Sequence, residues 1–236
     1  AGTCLPGENS EKIQERLTNL KIEDFKFKGF PIHFWDVFGK KGHPIRTRIK
    51  DIGPTILSRM LGLSETGEGV LTIVFKIAED RNLELIDLKD LKILLTFVGE
   101  HYKEFITNYG NITTQSIGVI QRSLLQLESQ GGNYFFGEPN LDILDFLKTN
   151  NEGLGYINIM DCVELFKSPD LYSCFLLWLL TTLYNTLPEV GDLDKPKIVF
   201  FFDEAHLLFK DAPKALIEKV EQVVRLIRSK GVGIYF

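Results

Sequence analysis

Ile13, Leu17 and Leu20 recur at helical spacing behind Asn9 and Ser10, either of which can cap the helix they predict. Phe25 and Phe27 then alternate with Lys26 and Lys28, the pattern of an edge strand, and Pro31–Trp35 reads as a second short strand after Gly29. From about Asp51 to Gln130 the apolar period is helical. Pro54 suits the first turn of a helix ending near Gly62, and Ser64 or Thr66 starts another with Val70, Ile73, Val74 and Ile77 on one face. Asp87 caps a third, with Leu91, Leu94, Leu95 and Val98 inward; Thr113 or Thr114 opens a fourth that Gly131-Gly132 closes.

Strand-like runs then return. Gly155–Met160 predicts a strand, Pro169–Leu187 a long apolar helix, and Ile198–Phe202 a strand without a polar position. Asp211 and Pro213 start a helix through Leu216, Val220, Val223 and Ile227, Gly231 ends it, and a last apolar strand follows. Strand–helix–strand–helix–strand order predicts an α/β fold with a mostly parallel sheet. The expected division is a first part of the core over 1–50, a helical insertion over 51–130, and a second part of the core over 131–236. The uniformly apolar run at Ile198–Phe202 predicts a strand buried on both faces.

Composition narrows the class little. Of 236 residues, 44% are hydrophobic and 25% charged, as in ordinary globular proteins. The formal net charge of -5 argues against a surface coated in basic residues, while leaving room for a local basic loop. Cys4, Cys162 and Cys174 form no ligand spacing, so reduced thiols in a cytoplasmic protein are expected. The four histidines, His33, His43, His101 and His206, are scattered, which disfavours structural zinc. Leu171–Leu187 is interrupted by Ser173, Thr181, Thr182 and Asn185, so a buried helix is expected there and no membrane association. A start without Met and an end on an apolar strand read as an internal piece of a longer protein.

Chemistry concentrates where the apolar strand stops on Asp203 and Glu204. Open α/β sheets bind ligands at the carboxyl ends of their strands. Paired acids there suit magnesium-dependent phosphoryl transfer, Asp203 holding the metal and Glu204 orienting and deprotonating a water. His206 could relay the state of a bound nucleotide, or simply hydrogen-bond to backbone. Arg225 and Arg228 lie in a last helical turn, where the helix dipole alone favours cations; an arginine finger is the functional alternative. Lys40, Lys41, His43, Arg46, Arg48 and Lys50 form the densest basic stretch, read as solvated loop charge or as phosphate contacts. No G-x-x-x-x-G-K-[ST] loop and no G-x-S-x-G elbow occurs.

The run F-F-F-D-E-A-H-L-L-F at Phe200–Phe209, followed by E-Q-V-V-R-L-I-R-S-K-G-V-G at Glu221–Gly233, resembles the bacterial HerA-like helicase/ATPase family. So do F-W-D-V-F-G at Phe34–Gly39, G-H-P-I-R at Gly42–Arg46, G-G-N-Y-F-F-G-E-P at Gly131–Pro139 and L-P-E-V-G-D-L-D-K-P at Leu187–Pro196. The resemblance implies a RecA-like P-loop ATPase of the HerA–FtsK group, using ATP and Mg2+ to move DNA as a hexameric ring, with a nuclease among its partners. It makes Asp203 and Glu204 the Walker B pair, Asp203 the metal ligand and Glu204 the catalytic base; His206 is the candidate nucleotide contact beside them. It raises Arg228 to a finger acting across a subunit boundary, although this chain reads R-S-K-G where such proteins read R-K-x-G. It also places the phosphate-binding loop before Ala1, so this chain alone is expected to be inactive. A P-loop ATPase working on protein partners or as a switch, and a non-enzymatic interaction module, remain the competing readings.

Overall fold

The computed structural model describes residues 2–191, 193–203 and 214–235, with backbone alone at 214–216 and 219. Glu204 and His206 therefore lie outside the described residues. Helix α1 (Glu11–Asn19) starts at Ser10, whose hydroxyl accepts from Ile13 N at 3.4 Å, yet it buries no residue. The strand expected at Phe25–Phe27 does not form. Among the described residues no neighbouring strand accepts its ladder hydrogen bonds; the two rings meet edge-on at 5.1 Å instead.

Strands β1 (Ile32–Asp36), β2 (His43–Pro44) and β3 (Ile157–Met160) form a parallel sheet in the order β2-β1-β3. Trp35 sits opposite both His43 and Met160. Between β2 and β3 run α2 (Ile49–Met60), α3 (Glu65–Asp80), α4 (Leu88–Glu100), α5 (Tyr102–Tyr109), α6 (Thr114–Ser129), the short α7 (Gly132–Phe135) and a 3-10 turn over Ile143–Leu147. Gly53, at φ +74°, breaks α2 just before Pro54, which opens its longer part. Ser64, Asp87 and Thr113 each accept a backbone N–H at the start of α3, α4 and α6.

Helix α8 (Pro169–Thr186) is apolar on nearly all sides and buries eleven residues, among them Phe175 and Trp178, whose rings pack on the fully buried Phe135. No helix among the described residues is long and apolar enough to cross a membrane. Strands β4 (Ile198–Phe201) and β5 (Val232–Tyr235) pair in parallel, joined through a connection that includes α9 (Lys214–Leu226) and a 3-10 turn over Ile227–Lys230. Gly231 ends that turn in the left-handed region, at φ +77°. The fold is thus mixed α/β with parallel pairing, as the pattern predicts, although the described strands fall into two sheets rather than one.

The expectation that β4 is buried on both faces fails. Ile198, Phe200 and Phe202 pack against the core, but Phe201 is 77% exposed and stacks on the exposed Tyr235 at 5.1 Å. Strand pleating sends alternate residues to opposite faces, and only one face of the β4–β5 pair is covered among the described residues. A run of consecutive apolar residues cannot report that difference.

Candidate functional site at the strand edges

Three strands lead to an aspartate at the carboxyl edge: Asp36 closes β1, Asp161 directly follows β3, and Asp203 lies two residues past the end of β4. Phe202 N donates to Tyr235 O at 2.9 Å, extending the β4–β5 ladder one residue beyond the strand. Asp203 is the first residue past that ladder, in a turn, and exposed.

Asp36 is nearly fully buried. Its Oδ1 accepts from Phe38 N at 2.9 Å, and its Oδ2 accepts from Lys40 N at 2.9 Å and Lys41 N at 3.0 Å. This carboxylate therefore shapes the loop from β1 to β2. The same loop presses on β1: a Cβ at Gly42 would lie 2.6 Å from the backbone of Phe34 and Trp35. Gly42→Ala is expected to destabilise the intact protein by about 1–3 kcal/mol, read as a lowered denaturation midpoint; an unchanged midpoint would contradict this packing.

Neither Asp36 nor Asp161 stands out in the sequence, although each directly follows apolar residues as Asp203 does. Lys41 Nζ lies 3.0 Å from Asp161 Oδ2. That contact, then the Val163 N–H, holds the Asp161 carboxyl below its usual range, and the carboxylate in turn raises Lys41. The other basic residues of the loop also meet the protein itself. Arg48 pairs with Asp51 at 2.8 Å, Lys50 with Glu84, and Arg46 Nη1 donates to Glu138 O at 2.7 Å. The stretch Lys40–Lys50 is thus drawn largely onto the chain's own acceptors.

Arg228 lies in the 3-10 turn that precedes β5. It lines a cavity of about 330 Å³ together with Leu193, Pro196, Val224 and Gly231–Ile234. Leu193 and Pro196 precede β4, and Ile198 is in register with Val232, so Arg228 sits at the amino edge of the β4–β5 pair. Asp203 sits at the carboxyl edge. At about 3.3 Å of rise per residue, the five steps from Ile198 to Asp203 span roughly 16 Å. The structure therefore does not bring Asp203 and Arg228 of one chain together. Burial pushes the Cys162 thiol up to about 12 and raises Cys174 as well, which disfavours the reactive thiolate at both.

The family of helicase HerA-like C-terminal domains matches the chain over residues 1–236. The chain belongs to that family. Among solved structures, the HerA-like chain is similar to the bacterial conjugative coupling protein TrwBdeltaN70, determined in a trigonal form in complex with sulphate. The match covers 86% of this chain and 50% of that one, at 12% identity and a TM-score of 0.49, a likeness too slight to transfer any property. The HerA-like chain thus spans half the length of that protein. No curated protein matches it significantly.

Proposed function

We propose that the intact protein containing this HerA-like chain is a RecA-like P-loop ATPase that hydrolyses ATP with Mg2+ and moves DNA, assembled as a hexameric ring. The observation that carries this reading is the end of β4: an apolar strand in a parallel pair whose ladder stops at Phe202 and leaves Asp203 at the carboxyl edge, with Glu204 next in the sequence. An exposed carboxylate there suits magnesium, which keeps several water ligands. Bound magnesium would neutralise charge on the β- and γ-phosphates. Asp203 would hold the ion through water, Glu204 would orient and deprotonate the attacking water, and His206 would lie near the nucleotide. Arg228, at the opposite edge, would serve the phosphates of a neighbouring copy. The backbone cradle for those phosphates would come from outside residues 1–236, which hold no G-x-x-x-x-G-K-[ST] loop.

A second reading, an ATPase acting on protein partners or as a switch, is favoured by one observation: the basic loop Lys40–Lys50 is largely drawn onto the chain's own acceptors. Hydrolysis measured with and without double-stranded DNA separates the two. For a DNA motor, double-stranded DNA raises turnover several-fold and the stimulation fades as salt rises, because phosphate contacts release counterions. Turnover indifferent to DNA at every salt concentration would support the second reading.

A further inference from the structure

Lys230 is a buried lysine whose ammonium is fully engaged. Its Nζ donates to Leu187 O at 2.6 Å, lies 3.3 Å from Glu189 Oε1, and stands 4.9 Å over the Tyr184 ring. The preceding residue is tied to the same region: Ser229 O accepts from Val190 N at 2.9 Å and from Gly191 N at 3.1 Å. One residue further back is Arg228, which is exposed and lines the cavity. The turn that carries Arg228 is therefore clamped to the end of α8 through its two following residues.

A lysine near a helix C-terminus is favoured by the dipole and by unpaired carbonyls. That accounts for the contact with Leu187, the residue that ends α8. It does not account for a lysine side chain only 10% exposed, since burying an ammonium is costly and an aliphatic side chain of similar length could fill the space. What the ammonium adds is direction: a carbonyl, a carboxylate and a ring face together fix where the turn sits. We propose that Lys230 is a positioning residue that holds Arg228 in place for catalysis, an inference resting on the reading that Arg228 acts on a neighbouring copy's nucleotide. The link joins the α8 end, residues 184–191, directly to the arginine turn.

The test is a double-mutant cycle on steady-state ATP hydrolysis by the intact protein, using Lys230→Met, Arg228→Ala and both together. Lys230→Met is expected to lower kcat about 100-fold with little change in KM, the scale of a small misplacement of a catalytic group. In the Arg228→Ala background the same substitution is expected to have no further effect. Glu189→Gln, at an exposed site, gives a second variant that leaves the core intact; it is expected to lower kcat less and also to be silent once Arg228 is gone. If Lys230→Met and Glu189→Gln leave kcat unchanged, or act equally with and without Arg228, Lys230 is only structural and the proposal falls while the role of Arg228 stands. If Arg228→Ala itself leaves turnover unchanged, the reading of Arg228 fails and the proposal fails with it.

Discussion

Arg228→Ala in the intact protein is expected to lower ATP turnover by about 10³-fold, the lower end of what arginine fingers contribute. The sharper expectation concerns mixing. Asp203 and Arg228 occupy opposite edges of the β4–β5 pair, so a site that uses both must draw them from two chains. Subunits carrying Arg228→Ala retain the acids, and subunits carrying Glu204→Gln retain the arginine. Neither assembly should hydrolyse ATP alone. A one-to-one mixture should regain activity, since in a ring of head-to-tail interfaces roughly one junction in four then pairs an intact acid with an intact arginine. Activity absent from the mixture, with co-assembly verified by light scattering, would contradict an arginine supplied across the subunit boundary. The measurement needs no knowledge of the DNA substrate.

That separation of edges follows from the order of elements along the chain. In a strand–helix–strand unit with parallel strands, the helix returns the chain to the amino edge, so a residue in its last turn cannot share the carboxyl edge with the acids ending the first strand. The helices α3, α4 and α6 are legible in the sequence because Ser64, Asp87 and Thr113 use their side chains as caps. Helix α5 is not: its first-turn neighbour His101 makes no side-chain cap, and the helix follows α4 without a break in the apolar pattern. The alternation at Phe25–Phe27 misleads because a strand is defined by its partner, which no local pattern supplies. The one-sided exposure of β4 escapes for the same reason: covering of a sheet face is a tertiary fact. Lys230 is invisible in the sequence because its acceptor Leu187 lies 43 residues away in the chain. Asp36 and Asp161 acquire meaning only when the sheet order puts their strands side by side.

Asp203 at the end of β4 and Glu204 beside it carry the central claim. The strand leaves Asp203 at an edge of the kind where open α/β sheets bind ligands, and family membership over residues 1–236 supports the proposed ATPase reading. A glutamate that deprotonates or orients water contributes about 10²–10⁴-fold to a rate and little to substrate binding. Glutamine keeps the shape and removes the base. The most direct measurement is therefore turnover and magnesium-dependent ATP binding by the intact protein carrying Glu204→Gln. Turnover should fall by about 10³-fold while ATP binding is retained; turnover equal to that of the unaltered protein would contradict the assignment of Asp203-Glu204 as the catalytic pair.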